Sequence, residues 1–228
     1  MTTNINKITI KCVVFDLDGT LLNTIKTINY YLNLALSEYG LGSVSEEDCM
    51  SFVGDGAVKL IERALSKVGA DSSCFDRVFE LYNKLYNASP YYLTEVYDGI
   101  PELISALKGR GIKLCVLSNK PDFATRKAIE KFLPDSFHIV RGGIDGVPLK
   151  PSPEGLFVIL DHLGISPSET TYIGDSEPDV MIAAAAGIAS PIFVSWGFRT
   201  KEQLKNAGAQ IIVDSPNSII NLIETDAN

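Results

Sequence analysis

The chain has 228 residues, 46% of them hydrophobic, and a formal net charge of −8. That apolar content is enough for a substantial core and one or two domains. The acidic balance has no basic stripe to interrupt it, which argues against a nucleic-acid binder or a protein that docks on anionic membranes.

The first predicted element is a buried strand, the apolar run from Ile8 to Phe15. It ends in Asp16-Leu17-Asp18-Gly19-Thr20-Leu21-Leu22, and Gly19 and Thr20 read as the turn that leaves the sheet. Helical spacing follows in three stripes: Ile25, Ile28, Leu32, Ala35, Leu36 and Tyr39; Val58, Ile61, Leu65 and Val68; and Phe75, Val78, Phe79, Tyr82, Leu85 and Tyr86. No strand is expected between Asn23 and Ser89. From Tyr97 onward strands and helices alternate. The strands are 112–117, 137–140, 171–173, 191–194 and 210–213; the helices are 101–108, 123–132, 154–163, 179–186, 201–207 and 218–223. Alternation of this kind implies a parallel sheet covered on both faces. The expected fold is therefore α/β: a doubly wound, Rossmann-like core (1–22 and 95–228) carrying an inserted all-helical cap (23–94), with hinges near Leu22 and in 90–97.

Cys12, Cys49, Cys74 and Cys115 form no Cys-x-x-Cys pair, so four reduced thiols in a cytoplasmic protein are expected. No signal-peptide pattern opens the chain, and no apolar run is long enough to span a bilayer.

Four segments end strands, where open α/β sheets place their ligands. Asp16 and Asp18 lie two residues apart, so alternation would point both to one side. Two carboxylates side by side need a cation or a shared proton between them, and a carboxylate can also serve as a nucleophile. Ser118 and Asn119 precede a helix start and could hold phosphate oxygens or simply cap the helix. Lys150 is bracketed by Pro148 and Pro151, which restrict its backbone; it is either a positioned charge in a cleft or a surface lysine. Asp175 and Asp179 flank a helix start, where both could reach the cleft or act as a cap and a dipole partner.

In order and rough spacing these segments resemble the four motifs of the haloacid dehalogenase-like superfamily, with Asp16 to Thr20 in the Asp-x-Asp-Gly-Thr form carried by its phosphatases. Phe52 to Leu65 is similar to the cap segment of phosphoglycolate phosphatases, and Tyr97 to Leu103 to their return to the core. The resemblance implies a Mg²⁺-dependent phosphatase acting on a small phosphate ester. Asp16 would form an aspartyl phosphate, and Asp18 would be general acid and then general base. Asp16, the backbone carbonyl of Asp18, and Asp175 would hold the metal. Asp179 would orient Lys150 or metal-bound water. Ser118 and Lys150, helped by Asn119, would hold the phosphoryl oxygens, and Thr20 would support the Asp16 loop.

Charge counting supports the metal separately. Four carboxylates face one lysine; a divalent cation and a protonated Asp18 bring the set to neutrality, and oxygen ligands suit Mg²⁺. His138 and His162 do not form a metal pair. In the cap, Gly54 and Gly56 indicate a loop that comes close to the site, with Asp55 between them as an unpaired charge that disfavours a second carboxylate on the substrate and weakens the glycolate assignment. Arg63 reads as a solvated helix residue. Rival readings are a hexose-phosphate mutase, a pyrophosphatase or a nucleotidase of the same fold. A non-catalytic binding protein would be expected to lack Asp16, Asp18, Lys150 or Asp175, and all four are present.

Overall fold

The computed structural model describes residues 8–224. The apolar run expected as one strand is two, β1 (Ile8–Thr9) and β2 (Cys12–Phe15). The chain bends at Lys11, whose N–H is held by the Glu169 carbonyl at 2.8 Å, and only β2 enters the main sheet. The short β3 (Leu22–Asn23) leads into α1 (Ile25–Glu38), α2 (Glu46–Phe52), α3 (Gly56–Lys67) and α4 (Phe75–Ala88), and β4 (Glu95–Val96) brings the chain back. β3 and β4 pair antiparallel, so the two linkers of the helical insertion run side by side.

The remainder alternates: α5 (Ile100–Gly109), β5 (Lys113–Pro121), α6 (Asp122–Phe132), β6 (Ile139–Gly143), α7 (Glu154–Leu163), β7 (Thr170–Gly174), α8 (Glu177–Ala185), β8 (Ile192–Val194), α9 (Lys201–Asn206), β9 (Ile212–Val213), α10 (Pro216–Leu222) and β10 (Ile223–Glu224), which pairs with β1. The main sheet is parallel, in the order β6-β5-β2-β7-β8-β9. Alternation along β2 explains the two covering layers. Val13 and Phe15 pack with Leu103 and Leu107 of α5, Ile129 of α6 and Ile219 of α10. Cys12 and Val14 face the other way, onto Ile159 of α7, Ile182 of α8 and Leu204 of α9. β2 lies between β5 and β7, so its carboxyl end is the switch point where such sheets open a crevice.

The helical insertion has its own apolar centre, including Leu32, Leu36, Ile61, Leu65, Val78 and Tyr82. Two readings of it change. Val58 is exposed rather than part of the buried stripe, where Leu60 and Ala64 flank Ile61 instead. α2 was not expected, because only Cys49 of its residues is buried and no apolar stripe marks it. Its signal is polar: Ser45 caps it by accepting from the Asp48 N–H at 3.0 Å, and Glu46, Glu47 and Asp48 fill its first turn.

Arg199, in the loop after β8, ties this insertion to the core. Its buried guanidinium donates to Glu177 Oε2 (2.7 Å), to the Met50 carbonyl (2.6 Å) and to the Val53 carbonyl (2.7 Å). The two carbonyls belong to the unsatisfied end of α2. Lysine keeps the charge but not the fork of directed donors. Arg199→Lys should therefore cost about 1–3 kcal/mol and speed amide exchange in 46–53 without changing β2 or β5. Exchange in 46–53 that matches wild type would contradict the tie.

Candidate active site

Asp16 follows β2 directly and is 6% exposed. Because β2 stops at Phe15, strand alternation does not extend to Asp18, yet both carboxylates line one cleft at the switch point. The cleft encloses about 710 Å³ including its open mouth. Its core side carries Asp16, Asp18, Ser118, Lys120, Lys150 and Asp175.

Lys150 organises the carboxylates. Its Nζ lies 2.8 Å from Asp16 Oδ1 and donates to Asp179 Oδ1 at 2.8 Å and to the Tyr172 hydroxyl at 3.2 Å. Asp179 is saturated. Oδ1 also accepts from the Tyr172 hydroxyl (2.9 Å), and Oδ2 accepts from the N–H groups of Asp175 (3.2 Å) and Ser176 (3.0 Å) and from Ser176 Oγ (2.6 Å). Asp175 accepts one bond on each oxygen, from Thr20 Oγ1 (2.9 Å) and the Phe198 N–H (2.8 Å). The Thr20 hydroxyl thus supports Asp175, and its N–H bonds the Leu17 carbonyl within the Asp16 loop. Asp16 is different: it is buried, and Lys150, 2.8 Å from its Oδ1, is its one charged partner.

The electrostatics follow from this inventory. Burial, with added repulsion from Asp179 and Asp18, raises the Asp16 carboxyl to about 7 although Lys150 opposes the shift. Burial and then repulsion from Asp179 and Asp16 push Asp175 well above its ordinary value. Burial would raise Asp179 too, but Lys150, Ser176 and Tyr172 outweigh it and hold that group low. The same carboxylates overcome burial at Lys150 and keep it charged. Oxygens of Asp16, Asp175 and Asp179 lie within 4.8 Å of one another. A divalent cation fits this set: the ligands are all oxygen, lone pairs remain on Asp16 and Asp175, and the strained charge is negative.

Of the other expected residues, Ser118 and Asn119 lie within β5, and Pro121 occupies the N-cap of α6, so neither caps that helix. Asn119 needs correction as a phosphate ligand. Its Nδ2 donates to the carbonyls of Lys150 (3.0 Å) and Gly54 (2.9 Å), and its Oδ1 accepts from the Lys150 N–H (2.8 Å). The amide is spent on fixing the Lys150 backbone. Asp55 is corrected as well. It is not an unpaired charge facing substrate: Arg63 binds its Oδ2 at 2.5 Å and the Phe52 carbonyl at 2.8 Å, and neither Asp55 nor Arg63 lines the cleft, whereas Gly54 and Gly56 do.

Relatives place this geometry. The sequence pattern of the family described as haloacid dehalogenase-like hydrolase matches residues 13–192. The chain belongs to that family. A Rhodospirillum rubrum phosphoglycolate phosphatase is 34% identical, over 90% of this chain and 87% of its own. One from Pseudomonas syringae pv. tomato is 29% identical, over 92% and 78%. The crystal structure of a Lactobacillus delbrueckii subsp. bulgaricus protein, 30% identical, superposes with a TM-score of 0.89 over 95% of this chain and 99% of its own.

In this haloacid dehalogenase-like hydrolase the residue most clearly missed by sequence reading is Lys120. It is buried, and its Nζ donates to both oxygens of Asp18 (3.0 and 3.1 Å) and to the Tyr86 hydroxyl (2.5 Å). A signal existed, since Lys120 precedes Pro121 as Lys150 precedes Pro151. Tyr172 gave none, being one aromatic in an apolar strand.

Asp175 also depends on two glycines. A Cβ at Gly19 or at Gly197 would overlap its carboxyl group. Gly197→Ala should therefore displace Asp175 or its loop, costing about 1–3 kcal/mol of stability and about 10²-fold in turnover. Urea denaturation and an aryl phosphate assay check this. Unchanged stability and rate would show that the loop gives way freely.

Proposed function

We propose that this hydrolase is a Mg²⁺-dependent phosphate monoesterase that forms an aspartyl phosphate on Asp16. The observation that carries the reading is Asp16, a buried carboxylate that shares the single Lys150 ammonium with Asp179 and lies at the floor of a cleft that also presents Ser118. Asp16, the Asp18 carbonyl and Asp175 would hold the cation. When bound, it supplies positive charge to the phosphoryl oxygens and offsets the carboxylates around them.

The chain's own groups divide the remaining work. Lys150 and Ser118 orient the phosphoryl group for in-line attack. An oxygen of Asp16 forms the new bond to phosphorus as the ester P–O bond breaks. Asp18 gives its proton to the departing oxygen, which leaves as an alcohol. The Asp18 carboxylate then takes a proton from water. That water's oxygen bonds to phosphorus, the Asp16–phosphorus bond breaks, and inorganic phosphate is released with Asp18 protonated again. Lys120 fixes the Asp18 carboxylate in position, and Asp179 holds Lys150.

Hydrolysis of a featureless aryl phosphate should require Mg²⁺ and stop with EDTA. Asp18→Asn should lower the rate by about 10²–10⁴-fold, and Asp16→Asn should lower it to background, both with native circular dichroism. Acid quenching during turnover should leave label on the peptide containing Asp16. Turnover by Asp16→Asn near the wild-type rate would exclude the covalent route.

A further inference from the structure

The cleft has two unlike walls. Its charged groups all come from the core, and both ammonium groups are engaged: Lys150 by Asp16 and Asp179, Lys120 by Asp18. The wall supplied by the helical insertion carries no charge. Val53, Ala57, Leu60 and Tyr82 form an apolar surface, and Asn83 and Asn87 stand one turn apart on α4. Neither amide has a hydrogen-bond partner among the described residues.

The nearby arginines do not change this. Arg63 is held by Asp55 and the Phe52 carbonyl, and Arg199 by Glu177 and the end of α2. Arg141 opens into a separate, smaller cavity beside Leu117 and Ser118.

A substrate carboxylate next to the phosphate would therefore meet no uncommitted side-chain cation. To gain one it would have to take Lys120 from Asp18, the group that must protonate the leaving oxygen. An uncharged leaving group has no such conflict. Its apolar face can cover Leu60 and Tyr82, and its hydroxyl or amide edge can use Asn83 and Asn87. A two-carbon fragment is too short to cover the wall from Val53 and Leu60 to Asn87.

Resting on the phosphatase reading above, we infer that the preferred substrates are phosphate monoesters of an uncharged leaving group of sugar or aryl size, with an apolar face and a hydrogen-bonding edge, and that a carboxylate on the leaving group is disfavoured. The selection is made by the uncharged wall from the insertion, because an interaction the substrate makes in water is not replaced there.

Matched pairs test the charge alone: phosphoglycolate against phosphoglycolamide, and para-phosphooxyphenylacetate against its amide, in which a methylene insulates the leaving oxygen. With Mg²⁺, each amide should exceed its carboxylate in kcat/KM by about tenfold or more, and the aryl amide should exceed phosphoglycolamide. Asn87→Lys adds a cation at an exposed position of the uncharged wall and should shrink or reverse both ratios, with circular dichroism confirming the fold. Carboxylates equal to or better than their amides in the wild type would overturn the inference while leaving the phosphatase reading intact. Ratios unchanged by Asn87→Lys would overturn the assignment of selection to this wall. If neither these esters nor phenyl phosphate is hydrolysed, the phosphatase reading itself fails and the inference falls with it.

Discussion

One ammonium group set among buried carboxylates governs the site. Lys150 contacts Asp16 and Asp179, and Asp175 lies close enough to raise the charge density further. A single cation cannot satisfy three such groups, and the shortage is distributed unequally. Asp179 takes the Tyr172 and Ser176 donors and shares the lysine with Asp16. Asp16 and Asp175 are left with spare lone pairs and a raised affinity for protons. A buried carboxylate without enough partners is costly, so its position must be enforced by its surroundings. The enforcement is visible: Asn119 fixes the Lys150 backbone, Thr20 and the Phe198 N–H hold Asp175, and the bare glycines at 19 and 197 leave the space its carboxyl group occupies. The cost is concentrated where a divalent cation would relieve it.

The helical insertion reaches this centre through three contacts of different kinds. Arg199 satisfies the carbonyl end of α2, Asn119 donates to the Gly54 carbonyl, and Lys120 bridges Asp18 and Tyr86. The last contact links the wall over the substrate to the group proposed to move the proton. Displacement of α4 from the core would remove a partner from Lys120 and loosen its hold on Asp18. The chemistry and the cover over it are coupled through one side chain.

Much of the arrangement was legible in the sequence. The unbroken apolar run ending at Phe15 and the helical spacing from Ile25 to Leu36 report burial directly, the first because both faces of the strand meet a core and the second because one face of the helix does. The carboxylates at the strand ends, Asp16 and Asp175, were legible because charge at the end of an apolar run is costly without a purpose; Lys150, in the loop between β6 and α7, was legible from the prolines around it. What escaped was pairing between distant segments. Asp55 looked like a free charge because Arg63, eight residues further along the helix that Asp55 starts, has no sequence mark tying it to that carboxylate. Asn119 looked like a ligand because an amide has the same composition whether it meets a phosphate or the Lys150 backbone. Lys120 escaped for the same reason, its partners being Asp18 and Tyr86. The uncharged wall depends on all three pairings, so it could not be read before they were seen.

The charge imbalance itself can be measured without any substrate. Calorimetric titration of the protein with Mg²⁺, repeated on Asp175→Asn, tests it most directly. Binding at one site in the wild type, lost or weakened by at least tenfold in the variant, is the expected result. No binding to the wild type, or equal binding to both proteins, would contradict the assignment of this carboxylate cluster as the metal centre.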